Sequence, residues 1–113
     1  MAIQKFFKDV LYGENVTITV MSNDEISKEV RIVFKAGQEM SEHKAPFPIS
    51  VMTLKGSIAF DYSDESLILE SGDMIKLDAH VVHALKARED SIVKLTLNKN
   101  DTIQRVESVE TIS

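Results

Sequence analysis

Short β-prone runs, broken by turn signals about every ten residues, constrain this chain more than any other feature. The first, Val16-Thr17-Ile18-Thr19-Val20-Met21, alternates apolar with polar or β-branched side chains, the period-two signature of a half-buried strand. Ser22-Asn23-Asp24-Glu25 reads as a turn, and Val30-Arg31-Ile32-Val33-Phe34 resumes the strand character. Ile49 to Leu54 and Ser57 to Tyr62 lie on either side of Gly56, so a glycine bend joins two β-prone runs. Turns at Ser63-Asp64-Glu65-Ser66 and Ser71-Gly72-Asp73 set off Leu67 to Leu69 and Met74 to Leu77. His83 to Ala87 and Ser91 to Leu97 bring the total to roughly eight strands. Such regular spacing, with few helical patterns, predicts an all-β sandwich or barrel.

Two segments fall outside this pattern. Ile3, Phe6, Phe7, Val10 and Leu11 follow the i, i+3, i+4, i+7, i+8 spacing of an amphipathic helix, yet the same stretch also suits an added strand. Beyond Asn98, the apolar residues Ile103, Val106, Val109 and Ile112 recur every third position, which matches neither template. This tail is read as either an edge strand or a partner contact.

Length and composition narrow the function classes. The chain's 113 residues are expected to make one domain spanning 1–113, and 43% hydrophobic residues are enough to offset the entropy of ordering. The net charge of -5 includes 13 basic residues that are scattered rather than gathered in a stripe. Nucleic acid and anionic membrane surfaces are therefore disfavoured as partners. Absence of cysteine removes disulfides, thiolate metal sites and cysteine nucleophiles. With no apolar leader and no run of about 20 apolar residues, a cytoplasmic protein is expected. No Gly-x-Ser-x-Gly elbow and no glycine-rich phosphate loop occurs. Asp64-Glu65 and Glu89-Asp90 sit in turns, as solvated carboxylates do.

Of the three histidines, two stand in an informative frame. Gly37 precedes His43 by six residues and Gly56 follows it by thirteen, while Gly72 precedes His83 by eleven. The phrases Glu42-His43-Lys44-Ala45-Pro46, Leu54-Lys55-Gly56, Ser71-Gly72-Asp73 and His83-Ala84-Leu85-Lys86-Ala87 arrive in the order of the two motifs of the cupin superfamily. The chain resembles that superfamily over approximately residues 37–97. It is most similar to small single-domain bacterial cupins that read Glu-His-x-Ala-Pro, a group without an assigned activity. The resemblance implies a double-stranded β-helix, or jelly-roll barrel of the RmlC-like type, that commonly dimerises. It also implies that His43 and His83, forty residues apart, converge inside the barrel. The sequence departs from the pattern at Ala45 and Ile49, where a second histidine and a glutamate are usual, and at Asp78, His80 and Ala87, where Pro, Gly and Asn are usual.

These departures frame the functional expectations. A catalytic transition-metal site normally takes three protein ligands, and His43 with His83 supplies two. Glu39, Glu42 and His80 are the candidates for a third, although Glu42 faces away from His43 on a regular strand, and His80 has the plain reading of an exposed loop residue. The first hypothesis is a small-ligand binding module whose pocket is lined by His43, Ala45, Phe47, Ile49, Val51, Met74, His83 and Leu85. Phe47, within Pro46-Phe47-Pro48, would stand at its mouth. The second is a metal-dependent enzyme of isomerase or dioxygenase type, with Mn, Fe, Ni or Zn on the two histidines, so enzymatic activity stays open between the two. A third makes the barrel an interaction partner, with the tail as its contact. For His43 and His83 the bland alternative is a pair of inert, hydrogen-bonded buried side chains; Met40, Met52 and Met74 read as core or pocket packing rather than a binding device.

Overall fold

The computed structural model describes residues 2–113. Ten strands and one short helix follow in the order β1 (Thr17–Asn23), β2 (Ser27–Phe34), β3 (Glu39–His43), β4 (Ile49–Lys55), β5 (Ser57–Tyr62), β6 (Glu65–Glu70), β7 (Met74–Leu77), β8 (His83–Ala87), β9 (Ser91–Asn98), α1 (Ile103–Glu107) and β10 (Thr111–Ile112). They form two five-stranded antiparallel sheets, ordered β1-β2-β9-β4-β7 and β10-β3-β8-β5-β6. This is the all-β architecture that the turn spacing predicts, in the jelly-roll form that the cupin resemblance implies. No helix among the described residues is long and apolar enough to cross a membrane.

Alternation places the core. Val30, Ile32 and Phe34 of β2 face inward with Val93, Leu95 and Leu97 of β9 and with Ile49 and Val51 of β4. The facing sheet contributes Met40, Ile58, Phe60, Leu69 and Leu85, and all of these belong to one apolar cluster. Phe34 and Phe60 are fully enclosed, each worth about 1.5–3 kcal/mol relative to an exposed side chain.

The N-terminal segment corrects an expectation, because Ile3 to Leu11 is neither helix nor strand. It lies as an irregular strap across the outer face of the first sheet, with a turn at residues 6–9 and a left-handed Asp9 at φ 55°. The reason is Arg31, which points outward from β2 yet is only 6% exposed. Its guanidinium donates to the carbonyls of Phe6, Lys8 and Asp9 at 3.3, 2.8 and 3.4 Å. A helix would direct those carbonyls along its own axis and a strand would alternate them, so three acceptors converge on one cation only in an irregular chain. Ile3, Phe7 and Leu11 of the presumed apolar stripe remain exposed.

The tail resolves into two pieces. Thr102 caps α1 by accepting from the Arg105 amide, and Val106 drops into the core. The chain then returns as β10 to pair with β3 at the edge of the second sheet. Its three-residue period reflects a helical turn followed by a strand, not one element.

Candidate functional site

β3 and β8 run antiparallel as neighbours, so the last residue of one, His43, stands opposite the first of the other, His83. A regular strand would not turn both rings inward. Met40 pairs with Leu85, and both are buried in the core. Strict alternation would send His43, three residues after Met40, to the outer face. The register shifts by one residue between Met40 and His43, and this bulge returns His43 to the face that His83 shares with Leu85. The tail supports the irregularity, since the Ser41 amide donates to the Glu110 carbonyl at 2.8 Å.

The rings come together, with centroids 4.2 Å apart and planes tilted by 60°. His83 also stacks on Phe60 at 5.5 Å and 13°. His43 Nδ1 lies 2.7 Å from the Ser41 carbonyl and His83 Nδ1 lies 2.9 Å from the Val81 carbonyl. A carbonyl oxygen can only accept, so each Nδ1 carries the proton and each neutral ring keeps its Nε2 lone pair for another partner. Burial, the dominant cause, lowers the pKa of both rings, and for His83 the result is about 4. The carbonyl bonds oppose this, while the Arg105 cation reinforces it for both and neighbouring His43 reinforces it for His83. The pair is therefore uncharged at neutral pH.

Arg105 is held by α1. It donates through Nε and Nη2 to both carboxylate oxygens of Asp101, at 2.7 and 2.8 Å, and through Nη1 to the Lys44 carbonyl at 3.4 Å. Asp101 is itself buried, so the fork clamps the tail onto the chain just beyond His43.

The remaining sequence candidates divide. Ala45, Ile49, Val51 and Leu85 are packed into the core cluster. Phe47 is half-buried in the loop between β3 and β4. Met74 is a correction, for it lies 53% exposed, opposite Met52, on the outer face of the first sheet. Strand β7 places Ile75 and Leu77 inward, so the odd-numbered residues, not Met74, face the barrel. A cavity of about 450 Å³ opens beside the histidine pair, bordered by His83, Tyr62 and the carboxylates of Glu42, Asp61, Asp64 and Glu65. The sequence offers Glu42 only as a candidate metal ligand and Asp64 and Glu65 as solvated turn carboxylates, and nothing in it singles out Asp61. That they gather here depends on the pairing of β5 with both β6 and β8.

The donor set does not suit a three-ligand metal. No group of three His, Cys, Asp or Glu residues among those described is arranged to hold one. Glu39 is paired with Lys86 at 3.4 Å, Glu42 is exposed, and His80 sits exposed in a loop at φ 68° with its amide donating to the Ala45 carbonyl. Ala45 and Ile49 offer no donor side chain and are buried.

Comparison with known proteins agrees with the fold. An RmlC-like cupin protein from Desulfovibrio desulfuricans superposes with a TM-score of 0.80 at 21% identity, covering 88% of this chain and 97% of the other. A cupin superfamily protein from Desulfitobacterium hafniense gives 0.74 at 15% identity, covering 86% and 98%. An uncharacterized conserved protein with a double-stranded β-helix domain from Klebsiella pneumoniae gives 0.77 at 18% identity, covering 90% and 94%. No protein-family profile matches the chain, and no curated protein does. The chain shares the double-stranded β-helix, or jelly-roll, fold of these structures.

Proposed function

We propose that this cupin-fold chain is a binding module for a small organic ligand, held at the mouth of the barrel by His43 and His83. The observation that carries the reading is the pair itself: two neutral imidazoles in contact, each with Nδ1 occupied by a carbonyl and Nε2 left for a ligand. An adjoining cavity of about 450 Å³ has room for a small molecule. A metal-dependent enzyme is the weaker reading, because a third ligand is missing where Ala45 and Ile49 stand. The reading includes a cytoplasmic homodimer that pairs through one of the sheet edges, β1, β7, β10 or β6.

The test is thermal-shift screening of metal-free protein against a broad library of small metabolites. Ligands that raise the melting temperature of the native chain but not of a folded His83→Ala variant support the proposal. A library without a single histidine-dependent stabiliser refutes it.

A further inference from the structure

The cavity beside His83 has a charge character of its own. Four carboxylates line it, those of Glu42, Asp61, Asp64 and Glu65, and none of the described lining residues is a Lys or Arg. None of the four takes part in an ion pair among the described residues, whose salt bridges join Lys86 to Glu39, Arg88 to Glu70 and Arg105 to Asp101. Exposed like charges gathered around one opening give it a negative potential that favours a cation over an anion.

Acidic residues alone would be only a solvated rim. Here the wall also holds His83, which is 2% exposed. Its one hydrogen bond among the described residues leaves from Nδ1 to the Val81 carbonyl, so Nε2 is an acceptor without a partner among those residues. An acceptor in that position calls for a ligand that donates. Tyr62, in the same wall, adds an aromatic ring of the kind that attracts cations through its negative face. The nearby Arg105 cation does not line the cavity, and its charge is answered by the fork to Asp101.

We propose that the cavity takes the ammonium group of a small organic amine, with His83 Nε2 accepting one N–H and the surrounding carboxylates balancing the charge. This rests on the ligand-binding reading above and names its ligand class. An anion would meet four carboxylates and find no cation on the wall, and a neutral alcohol would leave their charge unanswered.

The experiment compares three probes of matched size, n-butylammonium, n-butanol and butyrate, titrated into the full chain while amide resonances of Asp61, Ser63, Asp64, Val82 and His83 are followed by NMR. Butylammonium is expected to shift these resonances saturably, while butyrate leaves them unmoved. An Asp61→Asn, Glu65→Gln double variant alters exposed side chains only and is expected to weaken butylammonium binding about tenfold with the fold intact. If butanol or butyrate binds at these residues as well as butylammonium does, or if the double variant binds the amine unchanged, the ammonium assignment is overturned and the ligand-binding reading survives. Should none of the three move the resonances, the assignment fails; the ligand-binding reading falls with it only if the wider library also yields no histidine-dependent ligand.

Discussion

Acid should destabilise this protein through His83, and the structure sets the size of the effect. The ring is 2% exposed, stacked on Phe60 and in contact with His43, so its pKa falls from the ordinary 6.5 to about 4. Between those values the unfolded chain binds a proton that the folded chain refuses, so stability is complete above about pH 6.5 and is lost as the pH falls toward 4. Each pH unit of separation is worth about 1.4 kcal/mol, so acidifying from pH 7 to pH 5 should cost about 2 kcal/mol. His43, lowered for the same reason, acts in the same direction. Urea denaturation at a series of pH values between 7 and 5 measures the slope, where most carboxylates are still ionised. A His83→Gln variant should start less stable at pH 7 and lose much less stability on acidification. A His83 ring that titrates near 6.5 by NMR in the folded protein, or a variant with the native slope, would refute the reasoning.

Two further outcomes follow from the scaffold. Gly56→Ala should cost about 3 kcal/mol in urea denaturation, because φ is +93° and the new Cβ would sit 2.5 Å from the Asp90 carbonyl oxygen and 2.8 Å from Ser91 Cα, both backbone atoms that cannot swing aside. A drop below about 1 kcal/mol would show that the Gly56 bend has another conformation open to it. Arg31→Ala removes three hydrogen bonds to the N-terminal strap and should cost about 2–3 kcal/mol, with amide exchange over residues 5–10 accelerated more than in the barrel. Uniform acceleration across the sheets would instead mean that Arg31 supports the barrel directly.

Legibility followed the range of the interaction. Strands with clean alternation, such as β4, β5 and β9, could be read locally, because period two reports which side faces the core. β10 is two residues long and has no periodicity to detect; its place depends on β3 lying beside it. The strap shows the opposite failure, a helical spacing that was present and misleading. Apolar residues at helical intervals do not make a helix when a buried guanidinium on another strand competes for the carbonyls.

The candidate site divides along the same line. Its two histidines were legible, since their spacing from Gly37, Gly56 and Gly72 set them apart from His80. The missing third ligand was legible too, as Ala45 and Ile49 cannot donate. What the chain by itself determined is thus the strand content, the inward apolar set and the identity of the pair. Tertiary structure decided that the pair meets, because a one-residue bulge in β3 turns His43 against the alternation of its own strand, with the Glu110 carbonyl holding the Ser41 amide. It also decided that four turn and edge carboxylates share a wall with His83. Alternation is a property of neighbouring residues, whereas a bulge and a cavity belong to strands brought together from distant parts of the chain.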